Sequence, residues 1–143
     1  MSYRFLEETA IADVAFEAEG KTLKELFESS AMAVTGTMVK NAEGMKGTET
    51  GRFEIEAENV EMLLFHFLQE LLFLKDALLL LFNKYDLDIT QDGDRWRLSG
   101  RARGERIDPA KHELIVDVKA VSLHNYLVEE TSEGWRADVI LDI

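Results

Sequence analysis

Apolar residues return at Val60, Leu63, Leu64, Phe67, Leu68, Leu71 and Leu72, and steps of three and four put them along one side of a helix. The stripe is wide, so the helix has to be covered by a sheet and by a second helix. The apolar stretch from Leu63 to Phe82 is close to the roughly 20 residues of a membrane span. His66, Gln69, Glu70, Lys75 and Asp76 interrupt it with groups that are costly in hydrocarbon. A core helix starting near Asn59 accounts for it better, and no membrane role is expected. Ala77 to Phe82 then reads as a buried strand or an irregular segment, with an extension of the helix as the alternative.

A second helix follows Gly20, where Leu23, Leu26, Phe27, Ala31, Val34 and Met38 share one face, Thr22 is placed to cap the first turn and Glu25 completes a capping box. Most of the remaining chain alternates with period two. Tyr3 to Glu7, Val14 to Ala18, Arg52 to Glu56, Tyr85 to Thr90, Trp96 to Ala102, Val116 to Val121, Tyr126 to Glu130 and Trp135 to Leu141 read as strands, with turns at Asp92-Gly93 and Ser132-Glu133-Gly134. Asn41 to Thr50 is Gly-rich, charged and aperiodic, which predicts a mobile loop, and Asp108-Pro109 to His112 a turn or short helical segment. Two long helices separated by one strand, amid a majority of strands, predict an α+β fold with a mainly antiparallel sheet, as one domain over 1–143.

With 143 residues the chain is long enough for its own core. It has no cysteine, which removes disulfides, zinc-thiolate sites and thiol catalysis and makes a reducing, cytoplasmic setting the expectation. Met1-Ser2-Tyr3-Arg4 lacks the charged and apolar regions of a signal peptide. The formal charge of −12 repels phosphates on average, so broad nucleic-acid binding is not expected unless a local basic patch exists. Cations and basic protein surfaces are the natural partners.

The glycines at 44, 47 and 51 do not form a phosphate loop, and the serine-hydrolase elbow and the zinc-protease helix motif are both missing. No catalytic residue stands out, and carboxylates, three histidines and Lys119 remain. The last strand runs apolar up to Asp142-Ile143, placing a side-chain and a main-chain carboxylate side by side. That ending either simply finishes a sheet or makes a cation site. Asp13, after Ala10-Ile11-Ala12, either caps a turn or reaches a cation. If the strand ends meet, Asp13, Asp142 and the Ile143 carboxylate supply hard oxygens suited to calcium, magnesium or manganese. Lys119 alternates onto the face of Asp117, opposite the valines, where a solvated role is the default, and Glu28 is either a ligand, direct or indirect, or a surface glutamate. His66, His112 and His124 lack ligand spacing and read as surface or packing residues, and Trp96 and Trp135 read as core anchors.

The chain resembles the archease family along essentially its whole length. The resemblance is carried by Ala12-Asp13-Val14, Gly20-Lys21-Thr22-Leu23, Phe27-Glu28, the helix Leu63 to Leu72, Lys111-His112-Glu113, Val118-Lys119-Ala120-Val121 with His124, and Asp142-Ile143. It implies an accessory protein, not an enzyme, that activates an RtcB-type RNA-splicing ligase by promoting guanylylation and repeated turnover, and that binds a divalent cation through acidic residues. Asp13, Asp142 and Ile143 fall on the family's metal positions and Lys119 on a functional one. The chain departs from the family in reading Glu8-Thr9-Ala10-Ile11-Ala12-Asp13 where His-Thr-Ala-Asp is common, and Ser122-Leu123 where Thr-Tyr is usual. A chaperone or modulator of RNA-processing enzymes and a metal-dependent phosphohydrolase are the alternatives.

Overall fold

The structure, a computed structural model, describes residues 2–6 and 13–143. In chain order it runs β1 (Ser2–Leu6), β2 (Asp13–Gly20), α1 (Leu23–Met38), a 3-10 turn (Ala42–Gly44), β3 (Glu49–Ala57), α2 (Val60–Leu78), β4 (Leu80–Asp92), β5 (Arg95–Arg106), β6 (Ala120–Thr131) and β7 (Gly134–Asp142). The fold is α+β as expected, and its strand pairs are all antiparallel. They divide between two sheets, of order β1-β2-β7-β6 and β3-β5-β4. Each helix touches strands of both sheets, so the helices join them. No described helix is long and apolar enough to cross a membrane.

Local chemistry sets both helix starts. The Thr22 hydroxyl accepts from the Glu25 N–H at 3.2 Å, and Glu25 reaches back to the Lys21 N–H, also at 3.2 Å. Asn59 caps α2 by accepting from the Met62 N–H at 2.8 Å. The stripe of α2 is buried throughout, and Phe67 is the hinge of an aromatic cluster, stacked on Phe27 of α1 at 5.9 Å and edge-on to Phe53 of β3 at 5.3 Å. Because α1 is enclosed, two of its small polar residues reach main-chain acceptors on the strands: Ser29 donates to Glu19 O and Thr35 to Phe82 O, both at 2.9 Å.

Four local expectations are corrected. Ala77 and Leu78 are the last turn of α2, the helix ends at Leu79 in a left-handed conformation (φ 58°), and only Leu80 onward is strand. Residues 116–119 are not strand: within them the Val118 carbonyl accepts from the Lys75 ammonium at 2.8 Å, and just before them Ile115 N donates to Met38 O at 2.8 Å. Tyr126 to Glu130 is not a separate strand either; β6 is continuous from Ala120, with its register broken between Ser122 and Leu127 around Asn125 (φ 53°). The segment expected to be a mobile loop, Asn41 to Thr50, is tied down, with Ala42 and Met45 buried.

A bulge explains that last difference. The β4–β5 register slips between Phe82 and Lys84, leaving Asn83 as the extra residue. Its amide donates to the carbonyls of Ala42 and Met45 at 3.0 and 2.9 Å, fastening the 3-10 turn to the sheet. Opposite the bulge, at Gly104, any Cβ would run into the Leu81 carbonyl. Gly104→Ala is therefore expected to destabilise the protein by about 2 kcal/mol or more; urea unfolding with an unchanged midpoint would contradict this reading of the bulge.

Candidate functional site

The eight-residue strand β2 lies beside β7 in a register that runs from Gly20 opposite Trp135 to Asp13 opposite Asp142. Directly opposed residues point to the same face, so the two aspartates share one face at one end of the four-stranded sheet. On the far side of β7, Ala120 opposes Asp142, and the Lys119 N–H donates to the Asp142 carbonyl at 2.8 Å. The topology thus brings together Asp13, Asp142, Ile143 and the main chain of Lys119, whose side chain is exposed. The Glu8–Ala12 departure lies outside the described residues.

Helix α2 supports this edge. Gln69 accepts from the Val121 N–H at 2.9 Å, and the buried Lys75 ammonium, 4% exposed, holds Asp117 and Asp76 at 2.6 Å each as well as the Val118 carbonyl. Burial alone would lower the Lys75 pKa, but the two aspartates outweigh it and hold it above the usual value. Lys75 therefore locks the segment that delivers Lys119 and Ala120 to Asp142. That role was hidden in the sequence, because a lysine in the last turn of a helix looks like a solvated residue.

Charge balance separates the aspartate row from its neighbours on the same face. Four residues further along, Glu17 is flanked by Arg4 at 3.3 Å and Arg136 at 3.7 Å, and Asp138 takes Arg136 at 2.8 Å. Among the described residues, Asp13 and Asp142 have no basic partner within ion-pair distance. Like charges directly opposite one another on a sheet are destabilising. The donor set is two hard carboxylates, which fits calcium, magnesium or manganese. Among the described residues no group of three or more His, Asp or Glu side chains completes a metal cage, so further ligands to an ion would be main-chain oxygen or water.

Glu28 stands elsewhere, on α1 beside β4. Burial raises its pKa, Lys24 opposes the shift, and Glu25 and Asp86 add to it. His66 and His124 are exposed, as read from the sequence. His112 is a packing residue, but a buried one: Nδ1 accepts from the Asp108 N–H at 2.9 Å, so Nε2–H donates to Glu105 at 2.7 Å. Glu105, 3% exposed, also takes the Lys46 N–H at 2.6 Å and the Lys111 ammonium at 3.0 Å. These bonds, the one from His112 foremost, lower its pKa from 4.5 to about 2.

The family model described as the archease protein family (MTH1598/TM1083) matches residues 3–143. The chain belongs to the archease family. It is 38% identical over 133 residues to the protein archease of Pyrococcus furiosus, covering 92% of this chain and 93% of that one. With the protein archease of Archaeoglobus fulgidus it shares 38% identity over 144 residues, 100% of both chains. The solution structure of Methanobacterium thermoautotrophicum protein 1598 superposes with a TM-score of 0.80 at 32% identity, covering 99% of this chain and 98% of that one.

Two predictions test the energetics of this archease-family chain. In metal-free buffer, Asp142→Asn should raise stability by a few tenths to about 1 kcal/mol by removing the opposed charges, and should cancel any rise in Tm that calcium, magnesium or manganese gives the wild type; a metal-free Tm that falls instead would show the row is not repulsive. Glu105 has a depressed folded pKa, so its stabilisation is present above pH 4.5 and lost as the pH falls toward about 2. Glu105→Gln should accordingly flatten the Tm–pH curve across that window, and a curve parallel to wild type would refute the assignment.

Proposed function

We propose that the chain is an accessory protein, not itself a catalyst, that activates an RtcB-type RNA-splicing ligase through a divalent cation held by Asp13, Asp142 and the main-chain carboxylate of Ile143. The observation that supports this most is the opposed, unneutralised Asp13–Asp142 pair in a chain of the archease family. When bound, a divalent ion there would supply positive charge able to order triphosphate oxygens at the ligase's guanylylation site. The protein's own residues do the rest. Asp13 and Asp142 present hard oxygens from two paired strands, Lys75 and Gln69 fix the segment beside them, and Lys119 adds an exposed cation bonded through its main chain to Asp142. The formal charge of −12 suits docking on a basic region of the partner.

Multiple-turnover ligation by the cognate ligase is the direct test. Asp13→Ala and Asp142→Ala should each lower activation at least about tenfold, the scale seen when groups that support a metal are removed, and Lys119→Ala should lower it as well. Full activation by both aspartate variants would end the metal-site reading. A second reading, a chaperone for RNA-processing enzymes, draws on the exposed Phe73, Leu78, Leu114, Ile115 and Val116; such an activity would extend to unrelated clients and ignore Asp142→Ala.

A further inference from the structure

The second sheet carries the opposite imbalance. On the outward face of β5, Arg97, Ser99, Arg101 and Arg103 follow one another at every second position. Glu56 of β3 neutralises Arg97, bonding its guanidinium, and lies 3.6 Å from Arg95. Beyond Ser99 the pattern inverts, for Arg52 of β3 lies directly opposite Arg101, and Lys84 of β4 directly opposite Arg103. All four are exposed, and among the described residues none is in an ion pair, although Asp86 opposes Arg101 from β4. Two like-charged cross-strand pairs meeting on one strand carry a standing repulsion. They do so in a chain with 28 acidic and only 16 basic residues, where carboxylate partners are plentiful.

We infer that Arg52, Lys84, Arg101 and Arg103 form a binding surface for the phosphodiester backbone of a nucleic-acid strand. The four cations share one flat face, at spacings of about 5 Å across strands and about 7 Å along them, so neighbouring phosphates of one strand can each meet a separate cation. The surrounding face is wholly polar: besides Arg97, its other exposed residues beside the patch are Thr50, Glu54, Glu56, Asp86, Asp88 and Thr90. A protein partner would need an apolar or aromatic anchor, which this face lacks. Base stacking would need an exposed ring, but of the rings next to these cations Phe53 is buried and Tyr85 bonds inward to the Phe82 carbonyl. What remains is phosphate, recognised without regard to base sequence. Asp86 beside Arg101 and the acidic rows at Glu54, Glu56 and Asp88 limit the footprint to a few phosphates. This is the local basic patch that a net charge of −12 does not exclude, and it sits on the sheet that does not carry Asp13 and Asp142, so it stands or falls independently of the metal site.

The test is fluorescence anisotropy with short single-stranded RNAs of unrelated sequence, and a DNA strand of equal length, between 50 and 200 mM NaCl. With about three to four phosphates neutralised, log K should fall with log salt at a slope of about −2 to −3, with Kd in the region of 10⁻⁴ to 10⁻⁶ M. RNA and DNA should bind alike. The double substitution Arg101→Gln/Arg103→Gln should weaken binding roughly tenfold or more at the lowest salt and flatten the slope by about 1 to 2, while Lys40→Gln, a cation outside the patch, should change neither. The double variant should keep or raise the wild-type Tm, since it removes repulsion, and Arg52→Gln gives a second, milder reading if it does not. Binding unaltered by these changes, a slope near zero, or capture of a polyglutamate peptide in place of RNA would overturn the assignment, the last in favour of an acidic protein segment.

Discussion

The pairing of β2 with β7 is the constraint on which the rest depends. One face of that ladder, Phe16 with Val139 and Ala18 with Ala137, is buried against the helices, so a slip of one residue would carry these side chains into water and the charged ones into the core. The core thereby dictates which residues oppose each other on the outer face. Asp13 meets Asp142 because Phe16 must meet Val139. A repulsive pair at the ladder's end is tolerated because each buried large side chain contributes about 1.5 to 3 kcal/mol, several times the cost of one opposed like-charge pair.

The same hierarchy explains what the sequence disclosed. Elements whose signal is local were legible: the stripe from Val60 to Leu72, the Thr22 and Asn59 caps, and the Asp92-Gly93 turn each depend on residues within a few positions. The errors fall where distant partners decide. Asn41 to Thr50 has no periodicity of its own and is ordered by Asn83, some forty residues away, through a bulge that no pattern announces. Val116 to Lys119 alternates like a strand, but Lys75 claims the Val118 carbonyl and Met38 the N–H of Ile115 just before it.

The site was legible in a different way. Asp13 and Asp142 drew notice as carboxylates among apolar neighbours, and the resemblance to archease supplied the expectation that they meet; the β2–β7 register is what opposes them. Glu28 could not be placed by either route, since its surroundings on β4 depend on how α1 crosses the second sheet. The Glu105–His112 pair was hidden for a simpler reason. Its members belong to a strand end and a turn whose approach is made by the chain reversal at Asp108, where the Lys111 and His112 N–H groups both bond to the Asp108 carbonyl.

Both sheets show one rule of surface charge and one break in it. Where opposed residues can be matched, they are: Arg136 lies among Glu17, Glu129 and Asp138, and Glu56 between Arg95 and Arg97. Where they are not, the mismatch is of a single sign, negative at the end of the four-stranded sheet and positive on the three-stranded one. Surface ion pairs contribute little to stability, so balance is not forced by folding, and an unbalanced row is also inexpensive to keep. What an unbalanced row adds is a local field of one sign, which survives because the protein's own counter-charges are too few to quench it, Asp86 alone opposing the basic row directly. The role proposed above, an accessory to an RNA-joining ligase, would use both signs. Keeping them on separate sheets stops the two rows from neutralising each other.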